Sequence, residues 1–173
     1  MKKLIIRRAL PRDARGIAKV HVDSWRTTYK SIFSENYLQS ITYESREELW
    51  TRAIPNGYVF VAENEQGEII GFSSGGKERT GNYPKYNGEL YAIYILQNDQ
   101  GKGIGRQLVN SLIEELKSDG IHSMIVLVLE ENPSKHFYET LGAFEIDRLE
   151  DTVAGKEVIE LVYGWKDFSQ FYN

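Results

Sequence analysis

Glu89-Leu-Tyr-Ala-Ile-Tyr-Ile-Leu-Gln-Asn-Asp-Gln-Gly-Lys-Gly-Ile-Gly-Arg106 is the stretch on which the reading of this chain turns. Residues 89–95 read as a strand. Beyond the turn, Ile104, Leu108, Val109, Leu112, Ile113 and Leu116 recur at helical spacing, and Gly120 is placed to cap that helix. Between strand and helix lies Gln100-Gly-Lys-Gly-Ile-Gly-Arg106. A dinucleotide fingerprint would need glycine at 106, where Arg106 stands, and a Walker loop would close on Gly-Lys-Ser/Thr, whereas residues 105–107 are Gly-Arg-Gln. What remains is Gln-x-x-Gly-x-Gly over 100–105. Its glycines let backbone N–H groups approach an anion ahead of a helix N-terminus, with Lys102 and Arg106 adding positive charge. A pyrophosphate fits that chemistry; a tight turn with glycines serving backbone geometry alone is the competing reading.

Working outward, Met124–Leu129 is a further strand, so residues 89–129 predict a right-handed parallel crossover. Upstream, residues 4–8 read as a strand. Pro11 then opens a helix that carries Ile17, Val20, His21, Ser24 and Trp25 on one face. A second helical stretch over 42–53 is broken by Pro55-Asn56-Gly57, and strands at 58–62 and 69–72 are joined through Asn64-Glu-Gln-Gly67. A polar loop spans 75–88. Downstream come a short helix over 133–141 and strands near 144–149 and 158–163. The sum is one mixed-sheet α/β domain over residues 1–173, without repeats or linkers.

Composition bounds the function. The chain has 173 residues, no cysteine, and 21 basic against 25 acidic side chains for a net charge of −4. A disulfide framework, a thiolate nucleophile and a cysteine-ligated metal are therefore excluded, and no basic excess marks a nucleic-acid surface. His21, His122 and His136 sit on separate elements and show no ligand spacing, so no metal is expected. The longest aliphatic run, Met124–Leu129, is far short of the roughly 20 residues of a membrane-spanning helix, and the apolar patch near the N-terminus is too short for a signal peptide. A cytoplasmic protein with no membrane partner is expected.

Strand and glycine turn together resemble the acetyl-CoA motif of the GNAT superfamily of N-acetyltransferases: Arg or Gln, two residues, Gly, one residue, Gly or Ala, directly after the fourth strand. Asn132-Pro-Ser-Lys-His-Phe-Tyr-Glu-Thr-Leu-Gly142 is similar to the family's later segment, and His21–Lys30 and Val162–Trp165 resemble one bacterial branch. Two positions depart from the pattern: Gln97 stands where proline is frequent, and Gln100 replaces the commoner arginine, keeping the backbone cradle without that charge. The resemblance covers nearly the whole chain. It implies an α/β (α+β) GNAT fold, with a mixed, mostly antiparallel sheet of about seven strands, a splayed parallel pair at its centre and about four flanking helices.

It also implies acetyl-CoA as co-substrate and a primary amine as acceptor. On this resemblance Ile93, Tyr94 and Ile95 would line the pantetheine arm, with an N–H around Ile95 polarising the thioester carbonyl. Gln100, Gly101, Lys102, Gly103, Ile104, Gly105 and Arg106 would hold the pyrophosphate, Asn132 would meet the pantetheine, and Tyr138 would contact the cofactor and protonate the departing thiolate. Phe137 beside it reads as core.

An alkylamine is under about 0.1% neutral at pH 7, so a base is needed. Glu89 is the candidate, directly or through water, against the reading of a solvated strand-end carboxylate; Glu130 and Glu131 are weaker ones. Trp25 and Tyr29 are the acceptor-site candidates, with core packing the alternative for Trp25, and Trp50 and Trp165 read as packing. Without cysteine, transfer is expected by direct attack in a ternary complex. A small-molecule amine is preferred over a peptide or protein N-terminus or lysine. A non-catalytic acetyl-CoA-binding sensor is the alternative from another class. The aromatic tail, Trp165–Asn173, would favour a homodimer if exposed.

Overall fold

The computed structural model describes residues 3–171. Its strands are Ile5–Arg8 (β1), Tyr58–Glu63 (β2), Ile69–Lys77 (β3), Gly88–Ile95 (β4), Met124–Leu129 (β5), Phe144–Val153 (β6) and Lys156–Trp165 (β7). The helices are Ala14–Thr28 (α1), Glu35–Ser40 (α2), Tyr43–Ala53 (α3), Ile104–Ser118 (α4) and Lys135–Thr140 (α5). The sheet order is β1-β2-β3-β4-β5-β7-β6. β4 and β5 pair in parallel, whereas β1–β2, β2–β3, β5–β7 and β6–β7 are antiparallel. The mixed, mostly antiparallel sheet with one parallel pair is as expected, with five helices in place of about four. Two compact units share β4 and α4: one runs up to Gly75 and includes Ala92–Leu112, the other is Gly76–Tyr91 with the chain from Ile113 onward.

In the first unit, the unexpected helix α2 is a single capped turn and a half: Ser34 accepts from the Tyr37 amide, just as Thr42 accepts from Ser45 to open α3. Ile17, Val20, Trp50, Val59, Val61 and Phe72 form a buried cluster that seats α1 and α3 on the strands. The corner after β1 is held by Arg7, whose guanidinium grips the buried Asp13 carboxylate at 2.7 and 2.9 Å and reaches Glu63 at 2.8 Å. Strand β3 runs on past Phe72, where the sequence predicts its end, because Ser74 and Gly75 continue the register against Val59 and Tyr58.

In the second unit, the parallel register covers only Gly88–Leu90 with Met124–Val126. Position 88 must be glycine: a Cβ there would stand 2.8 Å from the Ser123 carbonyl oxygen. Past this short register β4 changes character. Gly88, Glu89 and Leu90 are buried, but each residue from Tyr91 to Leu96 is only half-buried, although β4 is the middle strand of seven. β6 and β7 form a hairpin longer than predicted, paired from Phe144↔Gly164 out to Val153↔Lys156. Of the aromatic tail, Phe168 and Phe171 are buried and Phe171 lies 6.5 Å from Trp165, so these rings offer no exposed face to a second copy. Met1, Lys2, Tyr172 and Asn173 lie outside the described residues.

Candidate functional site

In the first unit, β4 hands over to α4 through the glycine turn. Gly101 and Gly103 take φ of +77° and +80°, the left-handed region that glycine reaches without strain, and a Cβ on either would point into open space. The first α4 bond that closes is Gln107 N–H to the Gly103 carbonyl, at 3.3 Å. Among the described residues, the six amides from Gly101 to Arg106 have no acceptor. Consecutive free N–H groups at the positive end of a helix make an anion cradle, and a pyrophosphate is the group such a cradle fits. The Gln100 side-chain amide donates back to the Ile95 carbonyl at 3.1 Å, fastening the turn to the strand. Lys102 stands beside Asp99 at 3.4 Å, and Arg106 is exposed.

The same unit holds an aromatic cluster that periodicity alone does not reveal. His21 on α1 stacks on Tyr94 of β4, with ring centres 5.5 Å apart, and its Nδ1 accepts from the Trp50 indole at 3.1 Å. Trp50 is therefore packing, as expected, and also a donor. Burial first, and the Arg46 charge second, push the His21 pKa down to about 4. The folded pKa is below the unfolded one, so the neutral imidazole contributes stability that is fully present above about pH 6.5 and lost as pH falls toward 4. That loss is about 3 kcal/mol, read as a Tm that falls across this window, and His21→Gln should flatten the fall. Trp25 stacks on Phe33 at 6.2 Å and meets Tyr29 at 4.5 Å. Tyr29 is buried, and Trp25 is the more open of the two acceptor-site candidates.

In the second unit, Glu89 is buried, not a solvated strand end. It accepts from Arg79 three times, from the backbone N–H at 3.2 Å, from Nε at 3.3 Å and from Nη2 at 2.7 Å. The guanidinium also lies 4.1 Å over the Tyr91 ring. No spacing in the sequence pairs Glu89 with Arg79, which a loop brings to it. Asn132 is buried after β5, and its Oδ1 accepts from the Ser134 amide at 2.9 Å at the entry to α5. On α5 Tyr138 is buried, and Phe137, expected in the core, is half-buried. Tyr138 meets Trp165 edge-on at 6.4 Å, and the Trp165 indole donates to the Leu141 carbonyl at 2.9 Å, tying the end of α5 to β7. Glu130 is bound by Arg148 and Glu131 by Lys156, so both remain surface charges.

A strand that runs into free amides at a helix start is a site for a phosphate-bearing ligand. A family model described as acetyltransferase (GNAT) family matches residues 22–143, and the chain belongs to that family. It is an N-acetyltransferase with acetyl-CoA as co-substrate. The chain is 42% identical to the uncharacterized N-acetyltransferase YuaI of Bacillus subtilis over 164 residues, 95% of this chain and 94% of that one. It is 27% identical to the L-methionine sulfoximine/L-methionine sulfone acetyltransferase of Pseudomonas aeruginosa over 143 residues, 82% of this chain and 80% of the relative. Its fold is similar to that of PaiA N-acetyltransferase from Thermoplasma acidophilum in complex with coenzyme A, with a TM-score of 0.73 at 23% identity, covering 91% of this chain and 98% of the other.

Proposed function

We propose that this protein acetylates the amine of a small molecule, the amine attacking acetyl-CoA directly in a ternary complex. The observation that carries the reading is the run of six unpartnered amides from Gly101 to Arg106. A small acceptor accords with the relative named for methionine sulfoximine and sulfone, and direct attack accords with a chain that has no cysteine to carry an acyl group. In this reading Gln100 to Arg106 hold the pyrophosphate, Ile93, Tyr94 and Ile95 line the pantetheine arm, and Asn132 meets it. Tyr138 protonates the leaving thiolate. Glu89 receives the amine's proton; with its oxygens engaged by Arg79, it does so through water. Trp25 and Tyr29 wall the acceptor. Among the described residues no helix is long and apolar enough to cross a membrane, which accords with a cytoplasmic enzyme.

Gly103→Val tests the cradle. A branched side chain at φ +80° distorts the turn, and losing one amide–phosphate hydrogen bond is worth about tenfold in affinity. The expected result is a KM for acetyl-CoA raised by about that factor at little change in kcat. Thiol release is to be followed with a panel of amines. A protein that binds acetyl-CoA but releases no thiol with any of them is a sensor and not an enzyme.

A further inference from the structure

The helices α1 and α3 run antiparallel: Ala9 ahead of α1 donates to the carbonyl of Val59, beyond the end of α3, at 2.8 Å, and Arg26 near the end of α1 donates to the Ile41 carbonyl ahead of α3 at 3.1 Å. The Trp50–His21 hydrogen bond is one rung between them. One helical turn further along each, at four residues' spacing, stand Trp25 on α1 and Arg46 on α3. At this next rung three donors are out of solvent's reach with no acceptor among the described residues: Trp25 Nε1, Arg26 Nε and Arg46 Nε. Arg46 is half-buried, and among the described residues no carboxylate pairs with it. The neighbouring acids are occupied elsewhere, Glu44 and Glu47 with Arg15 and Asp23 with the Tyr43 hydroxyl.

An occluded Nε without an acceptor is costly, and the planar pair of terminal amino groups of Arg46, which are not among the occluded atoms, matches a carboxylate edge to edge. We infer that Arg46 receives a carboxylate of the acceptor, with Trp25 and Arg26 beside it, so that the amine acetylated is that of an amino acid. This rests on the proposed transfer to a small-molecule amine. The rung is next to His21, whose ring lies on Tyr94, so the subsite adjoins β4 within the first unit. Two unneutralised arginines also make it a poor seat for a polyamine, which carries only positive charge.

The test compares three matched acceptors in thiol release: an α-amino acid, its carboxamide and the alkylamine that lacks the carboxyl group. The amino acid is expected to have a kcat/KM about tenfold or more above the other two. Arg46→Gln should erase that advantage through KM for the amino acid alone, Arg46→Lys should restore part of it, and KM for acetyl-CoA should not move. An amide or alkylamine used as well as the acid by the unaltered protein, or a preference that survives Arg46→Gln, overturns the assignment. Should Arg46→Gln not fold, the acceptor comparison and Arg46→Lys decide. If no amine yields thiol, acetyl transfer to a small amine falls. The subsite is then read by tryptophan fluorescence: quenching that saturates with the amino acid, exceeds that with the amide and weakens in Arg46→Lys upholds it, and equal quenching overturns it.

Discussion

Tyr138→Phe is expected to lower kcat about a hundredfold, the scale of a positioned general acid, with KM for acetyl-CoA unchanged. The substitution removes one oxygen and leaves the ring that packs on Trp165 and Tyr163, so the helix that carries it stays in place. What is lost is a proton at the moment the carbon–sulfur bond breaks. A phenol with an ordinary pKa near 10 cannot fully protonate a thiolate whose thiol ionises near 8.5, so the transfer helps only in concert with bond cleavage. An acetyl thioester of a more acidic thiol, which leaves unaided, should therefore narrow the gap between the two proteins. Unchanged turnover in Tyr138→Phe would remove the residue from this role and leave the membership of the family untouched.

Trp165→Ala should produce the largest loss of stability, about 3–5 kcal/mol. Trp165 is fully buried at the end of β7, and its indole N–H is the donor to the Leu141 carbonyl that closes α5. Truncation opens a cavity under Tyr138 and leaves that carbonyl without its donor. For a chain of this length the fall in Tm is about 6–20 °C. Trp165→Phe, which keeps most of the volume and drops the hydrogen bond, should lie between. Because α5 carries Tyr138, thiol release should also drop in Trp165→Ala well below its new Tm. A protein that melts as before would show that α5 is anchored elsewhere.

The strand, glycine turn and helix over 89–116 are legible in the sequence because each is local: hydrophobic spacing marks the helix, and the failure of two rival glycine patterns leaves one. The hairpins are legible for the same reason. Helix α2 is not, since six residues hold too little periodicity and its signal is the Ser34 cap alone. The far half of β3 is hidden because serine and glycine carry no strand preference, and its partner residues on β2 supply the register. At the site, the glycines could be found by spacing, but the partners of the charged groups could not. Arg79 reaches Glu89 from a loop ten positions back, and the isolation of Arg46 is a fact about which acids its neighbours have already taken.

The half-buried run from Tyr91 to Leu96 bears on how this protein can change over generations. Larger side chains on a middle strand would ordinarily be among the easiest ways to gain stability. Ala92, Tyr94 and Leu96 pack on the buried cluster, whereas larger side chains at Ile93 and Ile95 would meet the thioester in the proposed reaction, so selection for activity holds these positions below the packing they could reach. A stabilised variant obtained by blind screening should collect its substitutions on the outer strands and helix surfaces and leave these two positions alone.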